Sequence, residues 1–102
     1  MSYAKEEQTC TILHRCGGCG KKMPFASAGK FRVNANGRRL DVWLIYRCKK
    51  CGHTLNIPLY ERVSPERIPQ ELYEGLLDND PALAQRLASC RGFFKGKGYT
   101  VL

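Results

Sequence analysis

Two cysteine pairs in matched contexts, Cys16-Gly17-Gly18-Cys19-Gly20 and Cys48-Lys49-Lys50-Cys51-Gly52, constrain this chain more than any other feature. A two-residue spacer lets both sulfurs of a pair face one ion while backbone N–H groups of the same turn point at them. Glycine after the second cysteine takes the positive φ of that tight turn without a steric cost. A lone C-x-x-C also fits a redox motif. Two of them, each followed by glycine and separated by 28 residues with a hairpin pattern, read as a four-thiolate zinc site of the ribbon type. Such a site is tetrahedral and closed, so one structural zinc ion on Cys16, Cys19, Cys48 and Cys51 is expected to hold the fold and to leave no position for a substrate.

A structural metal suits a chain of 102 residues, which forms one domain near the small end of the usual range and withdraws a modest share of its surface from water. No run approaches the roughly 18 apolar residues of a membrane span, and MSYAKEEQTC lacks the pattern of a secretory signal, so the expected location is cytoplasmic, with no membrane partner. In a reducing compartment six cysteines read as metal ligands and spares instead of a disulfide framework. The spares are Cys10 and Cys90, read as free thiols, with thiol redox sensing as the functional alternative. His14 and His53 flank the pairs and could each replace a sulfur, but the set of four thiolates is already complete.

Between the pairs, Lys30 to Val33 reads as a short strand, Asn34-Ala35-Asn36-Gly37 as a turn and Leu40 to Arg47 as a second strand. In LDVWLIYR, Leu40, Val42, Leu44 and Tyr46 share one face, and Trp43 and Ile45 share the other with Asp41 and Arg47. A strand apolar on both faces is expected to be central in its sheet. TCTIL from Thr9 to Leu13 reads as a strand leading into the first pair. TLNIPLY from Thr54 to Tyr60 reads as another, confined to an edge or strand end by Pro58. Ser64-Pro65-Glu66 carries helix-start signals, Pro69 restarts a helix through Asp78, and Asp80-Pro81 opens a second with Leu83, Ala84, Leu87 and Ala88 on one stripe. The expected fold is α+β: a small antiparallel zinc-ribbon sheet of three or four strands followed by two short C-terminal helices. Its parts are an N-terminal arm (1–8), the ribbon (9–63), a helical segment packed on the ribbon (64–91) and a tail (92–102) that is mobile unless Phe93 and Phe94 dock.

Seventeen basic against nine acidic residues give a formal net charge of +8, concentrated in the metal-binding half. Residues 1–60 hold eleven basic and three acidic residues, and residues 61–91 hold four and six. Arg15, Lys21, Lys22, Arg38, Arg39, Arg47, Lys49 and Lys50 therefore suggest a phosphate-contacting surface for RNA or DNA, with Trp43, Tyr46, Phe31 or Phe25 as stacking faces. The same lysines also serve simply to offset the negative zinc–thiolate centre, and the same aromatics alternate as core residues do. The alternative is a protein–protein adaptor anchored by Phe93-Phe94. No nucleophile elbow, phosphate-cradling loop or H-E-x-x-H is present, and Glu66, Glu71, Glu74 and Asp78 read as a solvated helix face. A non-enzymatic binding module without a small-molecule substrate is expected.

The stretch KFRVNANGRRLDVWLIYRCKKCGHTLNIPLYERV, with HRCGGCGKK before it and SPERIPQELYEGLLDNDPALAQR after it, resembles an uncharacterised bacterial family known as domain of unknown function 1062. The resemblance spans about residues 9–88 and implies that the four paired cysteines are zinc ligands. It also implies that Arg32, Asn34, Asn36, Asp41, Trp43 and Arg62 belong to the shared hairpin pattern. It implies no reaction. The last dozen residues are expected to depart from the family, whose members continue into a further C-terminal region.

Overall fold

The computed structural model describes residues 9–102; the expected arm over residues 1–8 lies outside them. The fold is α+β, built on one antiparallel sheet of five strands: β1 (Ile12–Cys16), β2 (Lys21–Asn36), β3 (Arg39–Cys48), β4 (Thr54–Val63) and β5 (Thr100–Val101), in the spatial order β4-β3-β2-β1-β5. The short strand expected at Lys30 is the far half of a 16-residue strand. Its near half, KKMPFASAG, shows no apolar alternation. It is a strand because it is paired on both sides, with β1 from Ile12↔Phe25 to Cys16↔Lys21 and with β3 at Phe25↔Cys48. The register with β3 breaks between Ser27 and Phe31, where Gly29 takes φ +76° and donates its N–H to Ser27 Oγ at 3.0 Å. This bulge joins two stretches that a continuous ladder could not accommodate. Beyond it Asn36 pairs with Arg39 around the two-residue loop Gly37-Arg38, and Gly37 at φ +67° supplies the positive φ that a tight hairpin of this hand needs.

The alternation read in β3 sets the two faces of the sheet. Leu40, Val42, Leu44, Tyr46 and Cys48 are buried on one face, joined by Ile12, Cys16, Phe25, Phe31 and Ile57. β3 is central and β4 is an edge strand, as Pro58 requires. Over that face lie α1 (Gln70–Leu77) and α2 (Pro81–Ala88), which bury Leu76, Leu83, Ala84 and Ala88 in the common core. The helix start at Ser64 is only a three-residue 3-10 turn, Pro65–Arg67, with no side-chain cap. Asp80 caps α2 through Ala82 N–H at 3.0 Å.

The corner between the helices is stitched to the sheet. Asn79 closes α1 with φ +55°, its N–H on the Leu76 carbonyl and the Asp80 N–H on the Gly75 carbonyl, the paired bonds of a Schellman cap with asparagine in the usual place of glycine. The Asn79 side chain then meets β2 where β1 has ended: Phe31 N–H donates to Asn79 Oδ1 at 2.7 Å, and Asn79 Nδ2 donates to the Phe31 carbonyl at 3.2 Å. One amide thus stands in for the missing neighbour strand.

The tail is part of the body. It forms a third helix, α3 (Arg91–Gly96), and the edge strand β5, with Leu102 N–H on the Thr11 carbonyl at 2.8 Å. Phe94 is fully buried, 5.5 Å from the Tyr46 ring and 6.5 Å from Tyr99. Among the described residues there are five strands in the sheet and three α-helices, against three or four and two expected, because docking of Phe94 orders a segment with no period of its own. Among the described residues no helix is long and apolar enough to cross a membrane.

Candidate metal centre and the sheet face away from the helices

The two C-x-x-C turns are the β1–β2 and β3–β4 connections. β1 and β3 both flank β2, and the pairs Cys16↔Lys21 and Phe25↔Cys48 bring the two turns to the same end of the sheet. Each turn is closed by a backbone bond to the carbonyl of its first cysteine, Gly20 N–H to Cys16 at 2.8 Å and Gly52 N–H to Cys48 at 3.0 Å, with Gly20 at φ +75° and Gly52 at φ +78°. The Cys19 N–H lies 3.4 Å from Cys16 Sγ, and the second turn is tied to β2 by Lys49 N–H on the Pro24 carbonyl at 3.0 Å.

All four sulfurs lie within 4.8 Å of one another; Cys16 Sγ is 3.4 Å from Cys51 Sγ, and Cys19 Sγ is 3.8 Å from Cys48 Sγ. A bonded pair would stand near 2.05 Å, so these are free thiols. Four sulfurs at about 2.3 Å from a central tetrahedral ion stand about 3.8 Å apart, which matches the observed cluster. The donor set thus fits a metal ion. Its electrostatics fit too. The Cys51 N–H, aided by that of Lys50, stabilises the Cys48 thiolate against the opposing effect of desolvation and brings its pKa down to about 6. Desolvation and the hydrogen-bonded sulfurs of Cys51, Cys16 and Cys48 push Cys19 up to about 12. At Cys51 the His53 N–H acts to lower the pKa, but the hydrogen bond with Cys16 and desolvation outweigh it, and the thiol is raised. Packed thiols cannot all ionise together without a cation among them.

His14 stands away from the cluster, its ring 6.0 Å from Phe25 and 5.8 Å from Tyr99. His53 is exposed and rests against the first turn, where a Cβ on Gly17 would meet its Nε2 at 3.5 Å. Neither belongs to the metal-holding group. Cys10 is buried, which raises its thiol pKa, whereas Cys90 is exposed with its Sγ on the Arg86 carbonyl at 3.4 Å.

The eight cations singled out from the sequence are all exposed but do not form one surface. Arg15, Lys21, Lys22, Arg47, Lys49 and Lys50 gather at the cysteine end. Arg38 and Arg39 sit at the hairpin tip, nine positions along β3 from Cys48 or roughly 30 Å, where Arg39 Nη1 bonds the Arg62 carbonyl at 3.0 Å. Of the aromatics offered as stacking faces, Tyr46, Phe25 and Phe31 are buried in the core by the alternation of their strands. Only Trp43 remains half-exposed, on the opposite face. Phe94 is equally unavailable as a partner anchor. Strand parity puts Arg15, Lys22, Arg47, Trp43 and Ile45 on the face away from the helices, and neither Trp43 nor Ile45 packs with the core cluster. Lys30 and Arg32 reach the same face: Arg32 pairs with Trp43, and Lys30 sits in the Ser27–Phe31 bulge, whose register break no sequence pattern marks.

No curated protein and no solved structure matches the chain. A family model matches residues 33–101, from the second half of β2 through β5. The matched stretch therefore includes the tail, against the expected departure of the last dozen residues. It contains Cys48 and Cys51, and Cys16 and Cys19 stand ahead of it. The match covers more than half of the chain, which thus belongs to the family described as protein of unknown function (DUF1062).

Proposed function

We propose that this protein is a non-catalytic, cytoplasmic binding module whose ribbon is closed by one structural zinc ion on Cys16, Cys19, Cys48 and Cys51, and whose sheet face away from the helices contacts single-stranded nucleic acid. Zinc is favoured by four thiolate donors at tetrahedral spacing and by the N–H groups aimed at their sulfurs. When bound, the ion supplies a crosslink between the two turns, and a full sulfur shell leaves it no Lewis-acid role.

One observation carries the nucleic-acid reading: unbalanced positive charge lies on one side of the sheet. In the helical layer Glu66, Glu71, Glu74, Asp78 and Asp80 are offset by Arg67, Arg86, Arg91, Lys95 and Lys97, whereas Arg15, Lys22, Arg47, Lys30 and Arg32 belong to the face away from the helices, with Lys49 and Lys50 at its end. A polyanion is drawn to the second side more than to the first. Trp43, the single tryptophan, offers a half-exposed ring beside Arg32 on which a base can stack.

The test is fluorescence anisotropy of a labelled single-stranded oligonucleotide with the zinc-loaded chain across a salt series. Neutralising about four phosphates weakens binding roughly fifty-fold between 50 and 200 mM salt. Trp43 emission is quenched on binding, and Lys49→Glu with Lys50→Glu lowers affinity at least about tenfold with zinc content unchanged. Absent or salt-insensitive binding would remove the reading.

A further inference from the structure

We infer that the basin over Ile45 is a seat for one phosphate group, held by Lys30, Arg32 and Arg47 with Thr54 and Asn56 as neutral donors. The inference rests on the reading of this face as an anion-facing surface, and it adds the place and the residues.

The bulge creates the basin. β3 pairs Tyr46 with Ser27 and Leu44 with Phe31, so Ile45 between them faces the displaced residues Ala28, Gly29 and Lys30 without a direct partner on β2. Ile45 is 7% exposed yet lies outside the core cluster, because it forms the floor of a concavity on the opposite face. That concavity is open to solvent and measures about 350 Å³, room for a compact oxyanion with its water.

Three cations, from β2 and β3, line it, and β4 supplies neutral polar groups. Arg47 lies two residues along β3 from Ile45. Thr54 and Asn56 stand directly across on β4, paired with Arg47 and Ile45. Lys30 and Arg32 come from the two sides of Phe31 on β2. Among the described residues no acidic residue lines the basin and none of the three cations has an ion-pair partner. Unpaired positive charges converging on a low-dielectric floor focus the field on whatever anion enters. Two guanidinium forks and an ammonium match the several oxygens of a phosphate better than the two of a carboxylate. The rim is held in place: Asn79 completes the lining, and its side-chain amide is spent on the Phe31 backbone between Lys30 and Arg32. The neighbouring concavity at the hairpin end, lined by Asp41, Glu61, Arg62 and Trp43, carries the opposite charge and limits the seat to the cysteine side of Trp43.

The phosphate can come from a nucleic-acid backbone or from free phosphate, and two probes separate the sources. The zinc-loaded full chain is titrated with inorganic phosphate and, separately, with a short oligothymidylate while backbone amide resonances are followed. The seat predicts that oligothymidylate moves the amides of Ile45, Thr54 and Asn56, and that Arg32→Gln with Arg47→Gln weakens its binding at least about tenfold. Arg38→Gln with Arg39→Gln at the hairpin tip changes it less than about twofold. Should the first pair of substitutions disturb zinc content or amide dispersion, Lys30→Gln on the exposed bulge is expected to weaken binding about threefold. Shifts of these amides with inorganic phosphate but not with oligothymidylate support the seat, assign it to free phosphate and remove the nucleic-acid reading. Oligothymidylate binding that leaves these amides and the Arg32/Arg47 variant unaffected overturns the seat and leaves nucleic-acid binding standing. No response to either probe overturns both.

Discussion

Gly18 shows that the two cysteine turns are not interchangeable. A Cβ there would stand 3.1 Å from Cys51 Sγ and 3.8 Å from Cys16 Sγ, inside the sulfur cluster, whereas one on Gly17 would meet only the His53 ring at 3.5 Å. The equivalent position in the second turn carries Lys50. Gly18→Ala must displace a ligand sulfur by tenths of an ångström, and zinc binding demands its geometry. Gly18→Ala is therefore expected to lower zinc affinity at least about tenfold in a chelator competition, with Gly17→Ala close to the parent. The sulfurs also fix the proton balance of metal uptake. With Cys19 pushed to about 12 and Cys51 raised, both hold protons at pH 7, while Cys48 near 6 has largely lost its own. Zinc must displace those protons, so its uptake acidifies a weakly buffered solution and its affinity falls as pH falls. Uptake without proton release would contradict this assignment. The cluster of four thiols was legible from spacing, because two residues between cysteines and a following glycine are local properties of the chain. The proximity of Gly18 to Cys51 was not, since it exists only once the two turns meet.

At the scale of elements, the bulge of β2 and the corner of the helices form one device. Asn79 holds a left-handed backbone to end α1 and gives both side-chain groups to Phe31, 48 positions away. Asn79→Gly keeps the backbone and takes the partner from a part-buried N–H and C=O, a loss of about 1 kcal/mol. Asn79→Ala adds the steric cost of positive φ, about 1 kcal/mol more. Denaturant unfolding ranks parent above glycine above alanine; equal stabilities of parent and glycine variants would dissolve the bridge. The sequence marks Asp80-Pro81 as a helix start and Gly29 as a turn residue, yet neither signal says that an asparagine between two helices serves as a strand neighbour. The length of β2 was hidden for a related reason: residues 21–29 are strand through partners, not through their own pattern.

For the whole molecule, the cysteine cluster and the core are continuous. Cys16 and Cys48 are buried in the same cluster as Phe25, Tyr46, Leu83 and Phe94, so the four-cysteine cluster is one wall of the core beneath the helices. Apparent zinc binding of roughly 10 kcal/mol or more in small metal domains is as large as the whole net stability of a domain of this size. Chelation is therefore expected to abolish helical and aromatic circular dichroism together in one transition. Loss of the aromatic signal with the helical signal retained would show two independent parts. What the sequence determined by itself is the part that local chemistry dictates: the four thiols and their turns, the tight hairpin at Gly37, the two faces of β3, the edge position of β4 and the apolar stripe of α2. Tertiary structure alone decided which cations share a face, that Phe94 enters the core and orders the tail, and that Ile45 lies at the bottom of a basic basin. Those outcomes depend on strand register and on contacts between segments far apart in the chain, where a bulge or a docked ring changes what meets what without leaving a period to be read.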